Sequence, residues 1–209
     1  MNGIQEVSGS IPLISTKTDR QAEALRSVFI EKELPAMRKI LLVIDMQNDF
    51  IDGALGTPEA AAIVDHVAAE IGKYPSADVF ATRDTHGENY LDTQEGRNLP
   101  VTHCVKGAHG WELNPRIAAA LGSACIIDKP AFGSKELAER MARLAQEDEL
   151  DITLVGLCTD ICVVSNALLI KAFLPETPVR VISACCAGVT PEIHQAALKT
   201  MQMCQIQVQ

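Results

Sequence analysis

At 209 residues, 47% apolar and 22% charged, the chain is long enough to bury a core and fits one domain, or one domain with an appendage. A surplus of 27 acidic over 18 basic side chains leaves a net charge of −9, which repels phosphates and disfavours nucleic acid and anionic membrane as partners. Seven cysteines, an odd and scattered set, fit a reducing cytoplasm better than a disulfide framework, and no apolar run has the length of a signal peptide or a membrane span.

Residues 1–37 are polar and mixed, with one helix expected over "DRQAEALRSVFIEKEL" and stopped by Pro35, and they read as an N-terminal extension. From residue 38 to 209 a compact domain is expected. Its first strand is "KILLVID", followed by helix "TPEAAAIVDHVAAEIGKY", strand "ADVFATRD", helix "NPRIAAALG" and strand "ACIIDK". Helix "SKELAERMARLAQED", strand "DITLVG", helix "DICVVSNALLIKAFL", strand "VRVISA" and helix "TPEIHQAALKTMQM" complete the series. Short Val- and Ile-rich runs alternating with helical-period segments predict right-handed βαβ units: an α/β three-layer sandwich with a mostly parallel central sheet. Thr57 and Thr190, each before a proline and a glutamate, mark helix starts. The long irregular stretch over residues 82–115 follows a strand's carboxyl end, where such sheets hold ligands.

Three strands end in chemistry-bearing residues. Asp45 closes the first, where a carboxylate can act as a base or simply cap a turn. Lys129 closes "CIIDK", either solvated or aimed at a site. After "DITLVG", Thr159 and Asp160 read as a capping pair that starts a helix near Asp160, leaving Cys158 in the loop and Cys162 in the first turn. There the helix dipole favours a thiolate, although a cysteine that merely packs is an equal reading. The two cysteines do not form a metal pair, because they share a face only if both are helical. In "RDTH", Asp84 and His86 fall on one side of an extended backbone, and with His103 they make a two-histidine, one-carboxylate set suited to a metal with open positions. His66, His109 and His194 lack such partners and read as surface or loop residues.

The combination "IDMQNDF", "RDTH…PVTHCVKG", "IIDKP" and "VGLCTDICV" resembles the isochorismatase-like cysteine hydrolases, and within them the nicotinamidases, over about residues 38–204. The resemblance implies a catalytic triad of Asp45, Lys129 and Cys162, and a divalent metal, Zn²⁺ or Fe²⁺, on Asp84, His86 and His103, with Glu95 as an additional candidate. It also implies a cis peptide bond between Leu157 and Cys158, and an oxyanion hole from the backbone amides of Cys158 and Cys162. The implied reaction is hydrolysis of nicotinamide to nicotinate and ammonia through a thioester, by a cytoplasmic homo-oligomer acting on a small-molecule amide. Two positions depart from the pattern: Thr85 stands where many relatives have tryptophan, and Leu99 about where an aromatic contacts the substrate ring, leaving Phe50 as the main ring contact. These departures keep two alternatives open, a hydrolase of another small carboxamide, carbamoyl or ureido compound and a non-catalytic binding protein on the same fold.

Overall fold

The computed structural model describes residues 37–209, so the helix expected within residues 1–37 lies outside the described residues. Six strands form one sheet: β1 (Arg38–Ile44), β2 (Val79–Asp84), β3 (Cys125–Lys129), β4 (Leu150–Leu157), β5 (Val179–Ala187) and β6 (Gln207–Val208). All five pairings are parallel, in the order β3-β2-β1-β4-β5-β6. The chain therefore winds outward from β1 to one side, then returns to its other side at β4. The reversal opens a crevice above the carboxyl ends of β1 and β4, the place where open α/β sheets bind ligands.

Side chains of β1 explain the three layers. Ile40, Leu42 and Ile44 face one core, which they share with Leu137 and Met141 of α6 (Lys135–Leu144) and Ala167 and Ile170 of α7 (Val164–Phe173). Leu41 and Val43 face the opposite core, with Val67 and Ile71 of α3 (Val64–Ile71) and Ile117 and Leu121 of α5 (Pro115–Leu121). All five β1 side chains are fully buried, each stabilising the fold by about 1.5–3 kcal/mol relative to exposure. A strand apolar on both faces is what a parallel sheet covered by helices demands.

The expected caps form: Thr57 accepts from the Ala60 amide at the start of α2 (Pro58–Ala62), and Thr190 from Ile193 at the start of α8 (Pro191–Met203). Three details differ from expectation. The helix expected over 57–74 breaks at Ile63 into α2 and α3. The second is a set of short additional elements: α1 (Asn48–Ile51) after β1, α4 (Gln94–Asn98) in the long connection, and the two-residue edge strand β6. The third difference concerns Cys162, whose segment is a π-helical turn over Thr159–Val163 that precedes α7.

Candidate active site

The base of the site is the end of β1. Asp45 is fully buried and takes a left-handed backbone conformation, φ 46°, which aspartate tolerates better than most residues. Its Oδ1 accepts a hydrogen bond from Thr82 Oγ1 at 2.7 Å, and its Oδ2 lies 2.7 Å from Lys129 Nζ. Lys129, 1% exposed at the end of β3, also reaches Asp84 Oδ1 at 3.2 Å and Cys162 Sγ at 3.4 Å. Acid, ammonium and thiol thus converge over the sheet, as the strand-end pattern predicts. An unpaired buried ammonium would cost several kcal/mol, on the order of 5, so Lys129 is held by what surrounds it. Burial favours its neutral form, but the carboxylates of Asp45 and Asp84 outweigh burial and hold the amine protonated.

The thiol departs from expectation. Cys162 is 4% exposed, and burial, reinforced by the adjacent Asp45 charge, pushes it well above the ordinary cysteine range. Its resting form is a thiol, because a dry site beside a carboxylate outweighs any helix-terminus effect. Burial also raises Asp45, against the pull of Lys129. A raised carboxylate within reach of a thiol is a competent proton acceptor once a substrate draws charge from sulfur.

The turn that carries Cys162 is anchored by tertiary contacts rather than by its own caps. Thr159 Oγ1 lies 2.8 Å from His194 Nδ1 on α8, and Asp160 Oδ1 accepts from the Val189 amide at 3.0 Å. The expected Thr159–Asp160 capping pair is therefore replaced by two long-range ties, and His194 is a half-buried partner of the turn rather than a surface residue. His66 and His109 are exposed, as expected. The Leu157–Cys158 bond is cis. Burial pushes the Cys158 thiol up to about 12, so its sulfur is inert near neutral pH. The Cys158 carbonyl accepts from the amides of Ile161 (3.1 Å) and Val163 (3.0 Å), passing over the Cys162 amide between them.

Beside the thiol lies a cluster of metal-ligating atoms. Asp84, His86, Glu95 and His103 each offer one donor, all within 4.8 Å of one another. His86 Nε2 is 2.9 Å from Asp84 Oδ2 and 3.7 Å from Glu95 Oε1, and His103 Nε2 is 3.8 Å from both carboxylates. His103 Nδ1 is 2.8 Å from the Val101 carbonyl, a bond that fixes the tautomer and leaves the Nε2 lone pair facing the cluster. His86 Nε2 is buried without a well-formed hydrogen bond, as a ligand nitrogen awaiting a cation would be. Two imidazoles and two carboxylates suit Zn²⁺ or Fe²⁺, so these residues fit the expected metal, with Glu95 as a fourth donor. Burial favours protonated Asp84, but the close approach of His86 Nε2 and the Lys129 ammonium hold it below the usual carboxylate range.

The backbone explains why ligands far apart in sequence meet. His86 N donates to Cys104 O and Lys106 N to His86 O, both at 3.0 Å, which pins the loop of His103 against the end of β2. Gln47, fully buried, accepts from the Asp84 amide at 2.7 Å and donates to the Asp84 carbonyl at 2.8 Å.

Thiol and cluster open into one cavity of ≈ 420 Å³, a size suited to a small organic ligand. Its apolar walls include Phe50, Leu99, Phe132 and Ile161, so both expected contact residues reach it. Phe132 is a wall that sequence reasoning missed. Its signal was position, three residues beyond Lys129. Tyr90, also missed, is fully buried, packs 4.7 Å and 4.9 Å from the His86 and His103 rings, and donates to the Leu99 carbonyl at 2.8 Å. Thr85 faces away from the cavity's work: its hydroxyl accepts from Trp111 Nε1 at 2.9 Å.

A parallel sheet that brings a buried acid, ammonium and thiol together at its switch point offers the groups that nucleophilic hydrolysis requires. The isochorismatase domain model matches residues 39–209, and the chain belongs to the isochorismatase family. It is 28% identical over 188 residues to the nicotinamidase/pyrazinamidase of Mycobacterium tuberculosis, covering 81% of this chain and 97% of the relative. It is 30% identical over 194 residues to the nicotinamidase of Escherichia coli, covering 79% and 90% respectively. Among solved structures, the pyrazinamidase of Pyrococcus horikoshii in complex with zinc matches with a TM-score of 0.66 at 30% identity, covering 82% of this chain and 98% of that one. Within its family the chain is most like the nicotinamidases.

Proposed function

We propose that the protein hydrolyses nicotinamide to nicotinate and ammonia, using Asp45, Lys129 and Cys162 as a triad beside a divalent metal on Asp84, His86, Glu95 and His103. Family membership and likeness to nicotinamidases make the chain a hydrolase of amide C–N bonds acting on nicotinamide-like substrates. One observation above all supports the triad and its substrate: Lys129 Nζ spans Asp45 Oδ2, Cys162 Sγ and Asp84 Oδ1, so the thiol and the cluster of metal-ligating atoms form one unit.

Asp45 takes the Cys162 proton as sulfur attacks the carboxamide carbon. Lys129 keeps the accumulating negative charge paired throughout. The carbonyl oxygen becomes anionic against the backbone amides of Cys158 and Cys162. Asp45 returns the proton to the departing nitrogen, the C–N bond breaks, and ammonia leaves a thioester on Cys162. Water then attacks with Asp45 again as base, releasing carboxylate and restoring the thiol. Asp84, His86, Glu95 and His103 would hold a divalent ion there, which would supply Lewis-acidic positive charge for a substrate lone pair beside the thiol. Phe50 and Phe132 offer the ring its apolar faces.

The cavity lining also favours a neutral substrate over a carbamoyl amino acid. It contains no arginine or exposed lysine among the described residues, and Lys129 is already matched by Asp45 and Asp84, so the carboxylates of Asp84 and Glu95 in the lining would oppose a substrate carboxylate before any metal is counted. The same reading expects a cytoplasmic homo-oligomer acting on a small molecule. The test is ammonia release by zinc-loaded protein offered nicotinamide or an N-carbamoyl amino acid: turnover of nicotinamide alone is expected, and turnover of the carbamoyl compound alone would overturn the reading.

A further inference from the structure

Asn166 lies on α7, four residues after Cys162, and is 1% exposed. Its Nδ2 donates to the Cys162 carbonyl at 2.8 Å and to the Phe132 carbonyl at 3.0 Å, while its Oδ1 accepts from the Ser134 amide at 2.9 Å. Ser134 Oγ in turn accepts from the Leu137 amide at 3.1 Å and caps α6. Only one amide orientation fits, because the flipped side chain would set its oxygen against two carbonyls and its NH₂ against an N–H. One buried amide therefore ties together the nucleophile's own backbone, the aromatic cavity wall and the start of the helix behind that wall.

We propose that Asn166 is a positioning residue that sets the distance between the Cys162 nucleophile and the Phe132 face of the substrate cavity. The π-helical turn at Thr159–Val163 is wider than an ordinary helical turn, and Asn166 holds its far end by a side chain. The segment Pro130–Ala131–Phe132 leaves β3 directly after Lys129 and has its first long-range side-chain tie here. Because an attacking atom displaced by about 1 Å can lose on the order of 100-fold in rate, a single joint between thiol and wall controls both chemistry and substrate fit.

The inference rests on the nicotinamidase reading for its kinetic arm only. Asn166→Asp keeps the shape and the Ser134 bond but turns lone pairs toward both carbonyls. Asn166→Ser can return one hydrogen bond to the Cys162 carbonyl, the usual reach of a helical hydroxyl, and cannot reach Phe132. With nicotinamide, N166D is expected to lose roughly 30- to 100-fold in kcat and to raise KM severalfold. N166S is expected to keep kcat within about threefold of wild type with KM still raised. Alkylation of Cys162 by iodoacetamide at pH 7, followed by mass spectrometry, needs no substrate assignment; it should slow about tenfold in N166D and recover in N166S. Equal loss of kcat in both variants, or wild-type kinetics and alkylation with only a lowered Tm in N166D, would overturn the proposal. If wild type leaves nicotinamide intact while the alkylation ratios hold, the positioning role stands and the substrate reading alone fails.

Discussion

Lys129 decides how the residues of the site share charge. With its ammonium 2.7 Å from Asp45, 3.2 Å from Asp84 and 3.4 Å from Cys162, the resting state is a thiol, an ammonium and two carboxylates. Cys162 reactivity then tracks the ionisation of Asp45 and not its own titration, since burial lifts the thiol far above neutral pH. Alkylation of wild-type Cys162 should accordingly level off well below the pH at which an ordinary thiol ionises. Asp45→Asn should slow alkylation between pH 6 and 8 by at least ~100-fold, the lower end of the range for general-base catalysis. A D45N profile matching wild type would show that Asp45 is not the base. The strand-end acid, lysine and cysteine were legible as letters because parallel strands finish at a common rim. Thiol ionisation was not legible, because it depends on burial and on a carboxylate more than one hundred positions away in sequence.

Among the elements, β4 does most to set the site. Gly156 pairs with Ile44 of β1 at φ +118°, and a Cβ there would lie 2.1 Å from the Ile44 carbonyl oxygen. Only glycine permits this approach, which brings the Cys162 turn within reach of Asp45. Gly156→Ala should destabilise the fold by about 3–5 kcal/mol, from backbone strain plus a main-chain clash. Urea unfolding measures the loss, and a change below about 1 kcal/mol would show that the two strands can part without cost. Strands and long helices were readable because their periods leave a pattern in the residues. The π-helical turn was not, since Thr159 and Asp160 suit an ordinary cap equally well and are drawn elsewhere by His194 and Val189. Nor was α4, five residues long, whose Glu95 joins the ligand cluster only because the chain doubles back over Tyr90.

At the scale of the whole molecule, the reversal of strand order at β1 and β4 gathers groups from four strands and one long connection around a single cavity. The cluster draws on β2, α4 and the loop of His103, so an ion bound there would cross-link segments that otherwise meet through few backbone bonds. A ligand that binds only the folded state adds about 2.7 kcal/mol at a hundredfold excess over its Kd. Zinc should therefore raise Tm, a chelator should lower it, and His86→Ala should melt alike with or without zinc. A zinc-dependent rise that persists in H86A would move the ion to another site.

A thioester on Cys162 would be the most direct mark of the proposed mechanism. Acid-quenched, zinc-loaded protein turning over nicotinamide should carry a nicotinoyl group on the peptide containing Cys162, visible by mass spectrometry and absent in Asp45→Asn. Nicotinate formed at the wild-type rate by Cys162→Ala, with no acyl group trapped on wild-type Cys162, would contradict the account.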